Sequence, residues 1–231
     1  AVFFGCKSAP VANRVNPLDL LDGESAIYFA IPTKADPELV SEVLKNNVSG
    51  ISDKDVATVV ERIDVIYAGL LHTRNVMEIQ CAASCNIPTA FHSKVFSKKN
   101  GWTSAQYQSP SSKVQHNLYQ NDFITVSLPD SNTVCLGRDI TKMLDTYDIL
   151  SGPSDENSGE SGGNPNIELD FYNHLNTAEN EIRFFAQKPQ SFLTMLTGAN
   201  LDLKLAFVMG EMRIDPKSDN QYILDLDFEF K

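Results

Sequence analysis

The stretch LDLKLAFVM, residues 201–209, sets Leu201, Leu203, Leu205, Phe207 and Met209 at every second position. The closing stretch does the same with Leu224, Leu226, Phe228 and Phe230, and puts Asp225, Asp227 and Glu229 between them. In extended chain successive side chains point to opposite faces, so each stretch predicts a strand with one apolar face. Asp215-Pro216-Lys217-Ser218-Asp219-Asn220 between them is turn chemistry, which makes the two an antiparallel pair. A ribbon with one apolar face cannot stand alone in water. It has to join a sheet that something covers.

The rest of the chain supplies both sheet and cover. Ala26–Ile31 is a short apolar run closed by Pro32, and predicts a buried strand. Asp36-Pro37-Glu38 starts a helix, with Asp as cap and Pro in the first turn; Leu39, Val40, Val43 and Leu44 fall on one face. Ser52-Asp53-Lys54-Asp55 starts a second, carrying Val56, Val59, Val60 and Ile63. Val65–Leu71 and Asn75–Ser84 read as a hairpin, and 88–98 as a third helix stopped by Asn100-Gly101. Strands are expected at 102–108, 113–119, 123–128 and 132–136, then a helix with Ile140, Met143, Leu144 and Tyr147 on one face. Glu181–Gln187 reads as a strand and Pro189–Leu196 as a short helix before Gly198.

This pattern predicts an α+β fold: a curved, mainly antiparallel sheet with helices packed on one face. Residues 1–22 read as the end of a signal peptide, a lipidation site and a tether. Residues 23–150 form a first α+β module. Residues 151–166, SGPSDENSGESGGNPN, are rich in Ser and Gly and read as a flexible linker. Residues 167–231 form a second module. AIYFAIPTKADPELV and EIRFFAQKPQSFLTML both run from apolar strand to proline-led helix, and two amphipathic strands follow each. The echo suggests two pseudo-repeated halves. The second stops straight after a strand at Lys231, as a truncated copy would.

Nineteen basic against thirty acidic residues give a net charge of −11. That weighs against nucleic acid as a partner, because phosphate binding needs a concentrated positive field. Cys81 and Cys85 lie on one expected strand, about 13 Å apart by strand rise, too far to bridge each other. Either could meet Cys135 across a sheet; buried thiols are the simpler reading.

The opening residues Val2-Phe3-Phe4-Gly5-Cys6 fit the tail of an export signal, an apolar run followed by a small residue. They resemble the lipobox of bacterial lipoproteins, in the looser form that spirochaetes tolerate, with Phe3 where leucine is more usual. The resemblance covers about five residues. It implies cleavage before Cys6 and acyl chains on its sulfur. At about 0.8 kcal/mol per buried CH₂, several chains on one cysteine, palmitate among them, hold a domain on a membrane. KSAPVANRVNPLDLLDG then serves as the tether. Lys7 stands where an aspartate favours inner-membrane retention in enterobacteria, so by analogy the outer membrane is the expected location.

No sequence motif names a reaction. His72, His92, His116 and His174 share no metal-ligand spacing; no G-x-S-x-G elbow stands between an expected strand and helix, the one such string, 159–163, lying in the Ser/Gly-rich stretch; and no phosphate-binding glycine motif is present. Asp225, Asp227 and Glu229 read as the wet side of a strand rather than a cation site. No enzymatic activity, cofactor or metal is expected. Lys94, Lys98, Lys99 and Trp102 form a basic, aromatic-flanked helix end that could touch lipid headgroups. The expectation is a membrane-tethered envelope lipoprotein with a non-catalytic binding or structural role and a protein or lipid ligand. The alternative is a periplasmic carrier of an apolar ligand, its cleft lined by Leu203, Leu205 and Phe207. A third reading is a hydrolase whose residues converge only in space.

Overall fold

The computed structural model describes residues 14–231 except 49–50, 74–75, 89–91, 93–94, 153–163, 165–166, 200–202 and 219–220. Ten strands form one open sheet in which every pairing is antiparallel. They are β1 (Ile27–Pro32), β2 (Ile63–Thr73), β3 (Val76–Cys85), β4 (Thr103–Gln108), β5 (Gln115–Gln120), β6 (Thr125–Ser127), β7 (Thr133–Gly137), β8 (Ile182–Ala186), β9 (Leu205–Ile214) and β10 (Tyr222–Phe230). The helices are α1 (Pro37–Asn47), α2 (Asp53–Val60), α3 (Thr141–Ser151), α4 (Leu169–Asn176) and α5 (Pro189–Thr197). The α+β class and the antiparallel sheet are as the sequence predicts.

The strand order is β10-β9-β8-β1-β2-β3-β7-β6-β5-β4. β8 lies against β1, with Tyr28 opposite Phe185 and Ala30 opposite Arg183. Strands from 23–150 and from 167–231 therefore share one sheet. The β1-β2-β3 and β8-β9-β10 meanders run outward from that seam as mirrored strand orders. A proline-led helix follows the first strand of each: α1 after β1 and α5 after β8.

Helices cover both faces, where one was expected. The strands at the centre explain this, being apolar on both sides. Tyr28, Ala30, Tyr67, Ala82 and Phe185 face one way, into a core with α3, α4 and the short 3-10 turn Pro17–Leu20. Ile27, Phe184 and Val208 face the other way, under Phe192 and Leu193 of α5. Beside them on that second face, Ile31 and Ile66 meet Val40 of α1 and Val56 of α2.

The alternation read over 201–209 is broken by a bulge. Glu229 pairs with Phe207 but Phe230 with Leu205, so one extra residue sits on β9. Leu205 then joins Val208 under α5, while Phe207 turns to the opposite face and packs edge-on against Phe171 of α4, centroids 4.5 Å apart. Leu203 is 45% exposed and Leu201 lies outside the described residues. Leu203, Leu205 and Phe207 therefore do not line a common cleft.

Helix α4 was not foreseen. Its eight residues follow the polar stretch, and its buried Tyr172 and Leu175 give only one i, i+3 repeat. Most of the 151–166 linker lies outside the described residues, but Asn164 is buried and its Nδ2 donates to the carbonyls of Leu18 (3.3 Å) and Leu21 (2.9 Å).

Candidate functional site

Helices α1 and α2 lie over β2, β3, β7 and β6, and their starts are fixed by side chains. Asp36 Oδ1 accepts from Leu39 N at 2.8 Å, with Pro37 in the first turn. Ser52 Oγ accepts from Asp55 N and donates to Asp55 Oδ2 at 2.7 Å, a capping box with aspartate as the acid. Lys45 Nζ meets Asp53 at 2.7 Å between the two helices and holds the Asp53 carboxyl below its usual pKa. The second oxygen of Asp36 accepts from Tyr222 Oη at 2.5 Å, which pushes that phenol up to about 12.

Beneath these helices the sheet presents small side chains. Ala68 on β2 and Cys81 and Ala83 on β3 form the floor, with Leu44, Val59 and Ile87 among the walls. Helices carried on larger neighbours cannot close down on a floor of alanine and cysteine, so space is left between the layers. The result is a cavity of about 490 Å³ with an almost wholly apolar lining. That lies within the roughly 300–1,000 Å³ of small-molecule sites. Val43 and Ile79, 53% and 51% exposed, are the lining residues most open to solvent and mark where the cavity opens.

One end of the cavity is aromatic. Phe96 stacks on Tyr119 at 4.7 Å and meets Trp102 edge-on at 5.0 Å; His92 meets Tyr119 edge-on at 6.4 Å. His92 and Trp102 both line the cavity, at 8% and 1% exposure. His92 Nε2 and Trp102 Nε1 are buried without a hydrogen-bond partner. Burial holds the His92 imidazole below its usual pKa, and the nearby Ile87 backbone opposes that shift.

Trp102, expected at a lipid headgroup, is thus a wall of the cavity. Its flat ring closes the gap between the end of the third helical segment and the sheet, beside Val95 and Val126. Lys98 and Lys99 are exposed on a 3-10 turn that Gly101, at φ +81°, terminates. Lys94 and Cys6 lie outside the described residues. Of the expected third helix, His92 and Val95 are described as helical.

Among the described residues Cys81, Cys85 and Cys135 are free thiols. Cys135 sits opposite Ala82, so it faces away from Cys81 and Cys85 and into the other core. Adjacent strands thus put Cys81 and Cys135 on opposite faces, which prevents the bridge left open by the sequence. Burial pushes Cys81 and Cys135 up to about 12 and Cys85 to about 11, so none is a ready nucleophile.

The opposite face gathers serine, histidine and aspartate. His116 Nε2 lies 2.9 Å from Asp148 Oδ1, with both side chains 3% exposed, and Ser112 Oγ donates to Asp148 Oδ2 at 2.5 Å. Next to them Asp145 accepts from Tyr107 Oη at 3.0 Å and Ser109 Oγ at 2.6 Å. The carboxylate stands between serine and imidazole, whereas a nucleophile and its base need the imidazole in the middle. The cluster pins the β4–β5 hairpin to α3. Asp225, from the acidic row on β10, pairs with Arg213 at 2.7 Å.

The sequence of residues 12–231 matches the family described as outer membrane-associated lipoprotein TP0453. A curated relative, outer membrane protein TP0453 of Treponema pallidum (strain Nichols), is 26% identical over 124 residues. That match spans 53% of this chain and 39% of the relative. Crystal form I of TP0453 superposes with a TM-score of 0.68 at 18% identity, covering 94% of this chain and 79% of the other. Crystal form III gives 0.66 at 19% identity, covering 93% and 80%. At these identities the likeness is one of fold.

Proposed function

Because the chain belongs to the TP0453 family of outer membrane-associated lipoproteins, we propose that it is a tethered carrier: a non-catalytic domain, held on the membrane by acyl chains on Cys6, that takes an apolar ligand between its helices and its sheet. One observation carries this reading, the cavity of about 490 Å³ with its apolar lining. A core that served stability alone would gain by closing, since unfilled volume costs about 24 cal/mol per Å³. An apolar ligand recovers those lost contacts. Lys98 and Lys99, exposed near the aromatic end, suit contact with anionic headgroups.

The test is to fill the space. Ala83→Phe puts a ring on the cavity floor. The wild type is expected to bind an environment-sensitive apolar dye saturably and to release lipid on organic extraction from envelope material. The variant should fold cooperatively and lose both. Equal dye binding by a folded Ala83→Phe protein overturns the reading. Intact mass of the native protein tests the tether separately: acyl mass on Cys6 supports it, and an unmodified sulfur removes it.

A further inference from the structure

The sheet is open along its last strand. β10 pairs with β9 on one side, and among the described residues no strand pairs with its other side. Two backbone bonds fix which way its polar groups point: Asp215 N donates to the carbonyl of Gln221 at 2.8 Å, and Lys231 N to that of Lys204 at 2.9 Å. Odd-numbered residues of β10 thus bond inward to β9, and the N–H and C=O groups of Leu224, Leu226 and Phe228 point out of the sheet edge. The two faces of this edge differ. Leu224, Leu226, Phe228 and Phe230 share the face that α5 covers, where Leu226 packs on the core. Leu224, Phe228 and Phe230 remain 38, 43 and 67% exposed. Asp225, Asp227 and Glu229 share the other face. Arg213 pairs with Asp225, while Asp227 and Glu229, opposite Met209 and Phe207, hold no ion pair among the described residues.

We propose that β10 receives an added antiparallel strand: an extended segment of another protein in which apolar residues alternate with lysine or arginine. Its backbone pairs with the outward groups of Leu224, Leu226 and Phe228. Its apolar side chains cover Leu224, Phe228 and Phe230, and its cations meet Asp227 and Glu229. The acidic row decides between occupants. In an antiparallel pair, outward-pointing residues meet outward-pointing residues and directly opposite side chains share a face. A second copy of β10 therefore sets its own three carboxylates beside these three, and like charges across strands oppose pairing. Charge on an edge strand keeps copies of a protein apart. Here the same charge admits a strand of opposite sign. No residue of β10 lines the cavity, so this surface is separate from the carrier site.

Dye-labelled peptides of nine residues, the length of β10, test this on the full chain by fluorescence anisotropy. One alternates valine with lysine and another valine with glutamate. Two more carry the lysine sequence N-methylated at every valine or at every lysine, which keeps the charge and blocks one backbone edge. The lysine peptide is expected to bind saturably, about tenfold more tightly than the glutamate peptide. In the antiparallel register its valines bond to β10, so methylation at valine should abolish binding and methylation at lysine should spare it. The double variant Asp227→Lys/Glu229→Lys, at two exposed positions, should reverse the order of the lysine and glutamate peptides. Hydrogen exchange of the protein alone should be faster at the Leu224, Leu226 and Phe228 amides than at those of Asp225 and Asp227. Equal binding of the two methylated peptides overturns the proposal, and so does an order that the double variant leaves unchanged. Slow exchange at the outward amides shows the edge already covered and overturns it. A dimer in sedimentation that Phe228→Asp dissolves assigns the edge to a second copy and overturns it too.

Discussion

Tyr28, Ala30, Tyr67 and Ala82 leave one side of the sheet; Ile31, Ile66, Ala68 and Cys81 leave the other side of the same or adjoining strands. The first side is solid. Phe171 stacks on Phe185 at 4.0 Å, Leu144 and Leu175 are fully buried, and polar atoms other than Asp19 Oδ1 find partners: Asn16 Nδ2 donates to Tyr172 Oη at 2.7 Å and to Asn176 Oδ1 at 2.8 Å, and Tyr67 Oη to that same Oδ1 at 3.2 Å. The second side is hollow under α1 and α2, and two of its polar atoms stand idle. Since strand chemistry is shared, the difference lies in the covering layer and in the sizes of the facing residues. One face carries the stability; the other keeps room that stability alone would not keep.

The largest expected effect is in paired truncations. Leu144→Ala, on the solid face, should lose about 4 kcal/mol, because dense surroundings relax little around a new void. Ile66→Ala, beside existing space, should lose about 2 kcal/mol, since it surrenders fewer contacts. Urea unfolding of both checks this, and equal losses would break the contrast. Next come the polar groups. Asp148→Ala strands His116 Nε2 and Ser112 Oγ and should cost about 2–3 kcal/mol, whereas His92→Phe removes an unpaired Nε2 along with the ring's contact to the Ile87 backbone and should cost about 1 kcal/mol or less. Thermal melts of the two variants at neutral pH measure it. The smallest effect is a rate. The half-buried Cys81 and the buried Cys85 and Cys135 are held as neutral S–H at pH 8, so alkylation is slow throughout. Cys81 on the cavity floor should still react several-fold faster than Cys135, and an apolar ligand should protect Cys81 alone. Peptide mass mapping of a timed alkylation reads both sites together.

The elements that could be read from the chain are those whose signals are local. Asp36-Pro37 and Ser52-Asp53 announce α1 and α2, and the acidic alternation of β10 announces an edge strand with a wet side. What escaped depends on partners distant in sequence. The bulge on β9 exists only relative to β10, and it divides Leu205 from Phe207. The cavity depends on how α1 and α2 rest on strands as remote in sequence as β6 and β7, and its lining residues look like ordinary core when taken singly. Trp102 beside two lysines imitates an interfacial residue; what makes it a wall is Phe96 and Val126. His92 did carry a signal, standing three and four positions before Val95 and Phe96 on an apolar helical stripe. Nothing local said that its nitrogen would be left without a partner.

The seam between β1 and β8 bears on how the molecule is made. Tyr28 waits for Phe185, so the middle of the sheet cannot zip until nearly the whole polypeptide is available. Joining ends so remote is slow, and a partial chain exposes the raw edge of β1 meanwhile. For a protein destined for the outer envelope this delay is useful. A chain that cannot finish its central strand early stays threadable until it has crossed the inner membrane, and assembles on the far side.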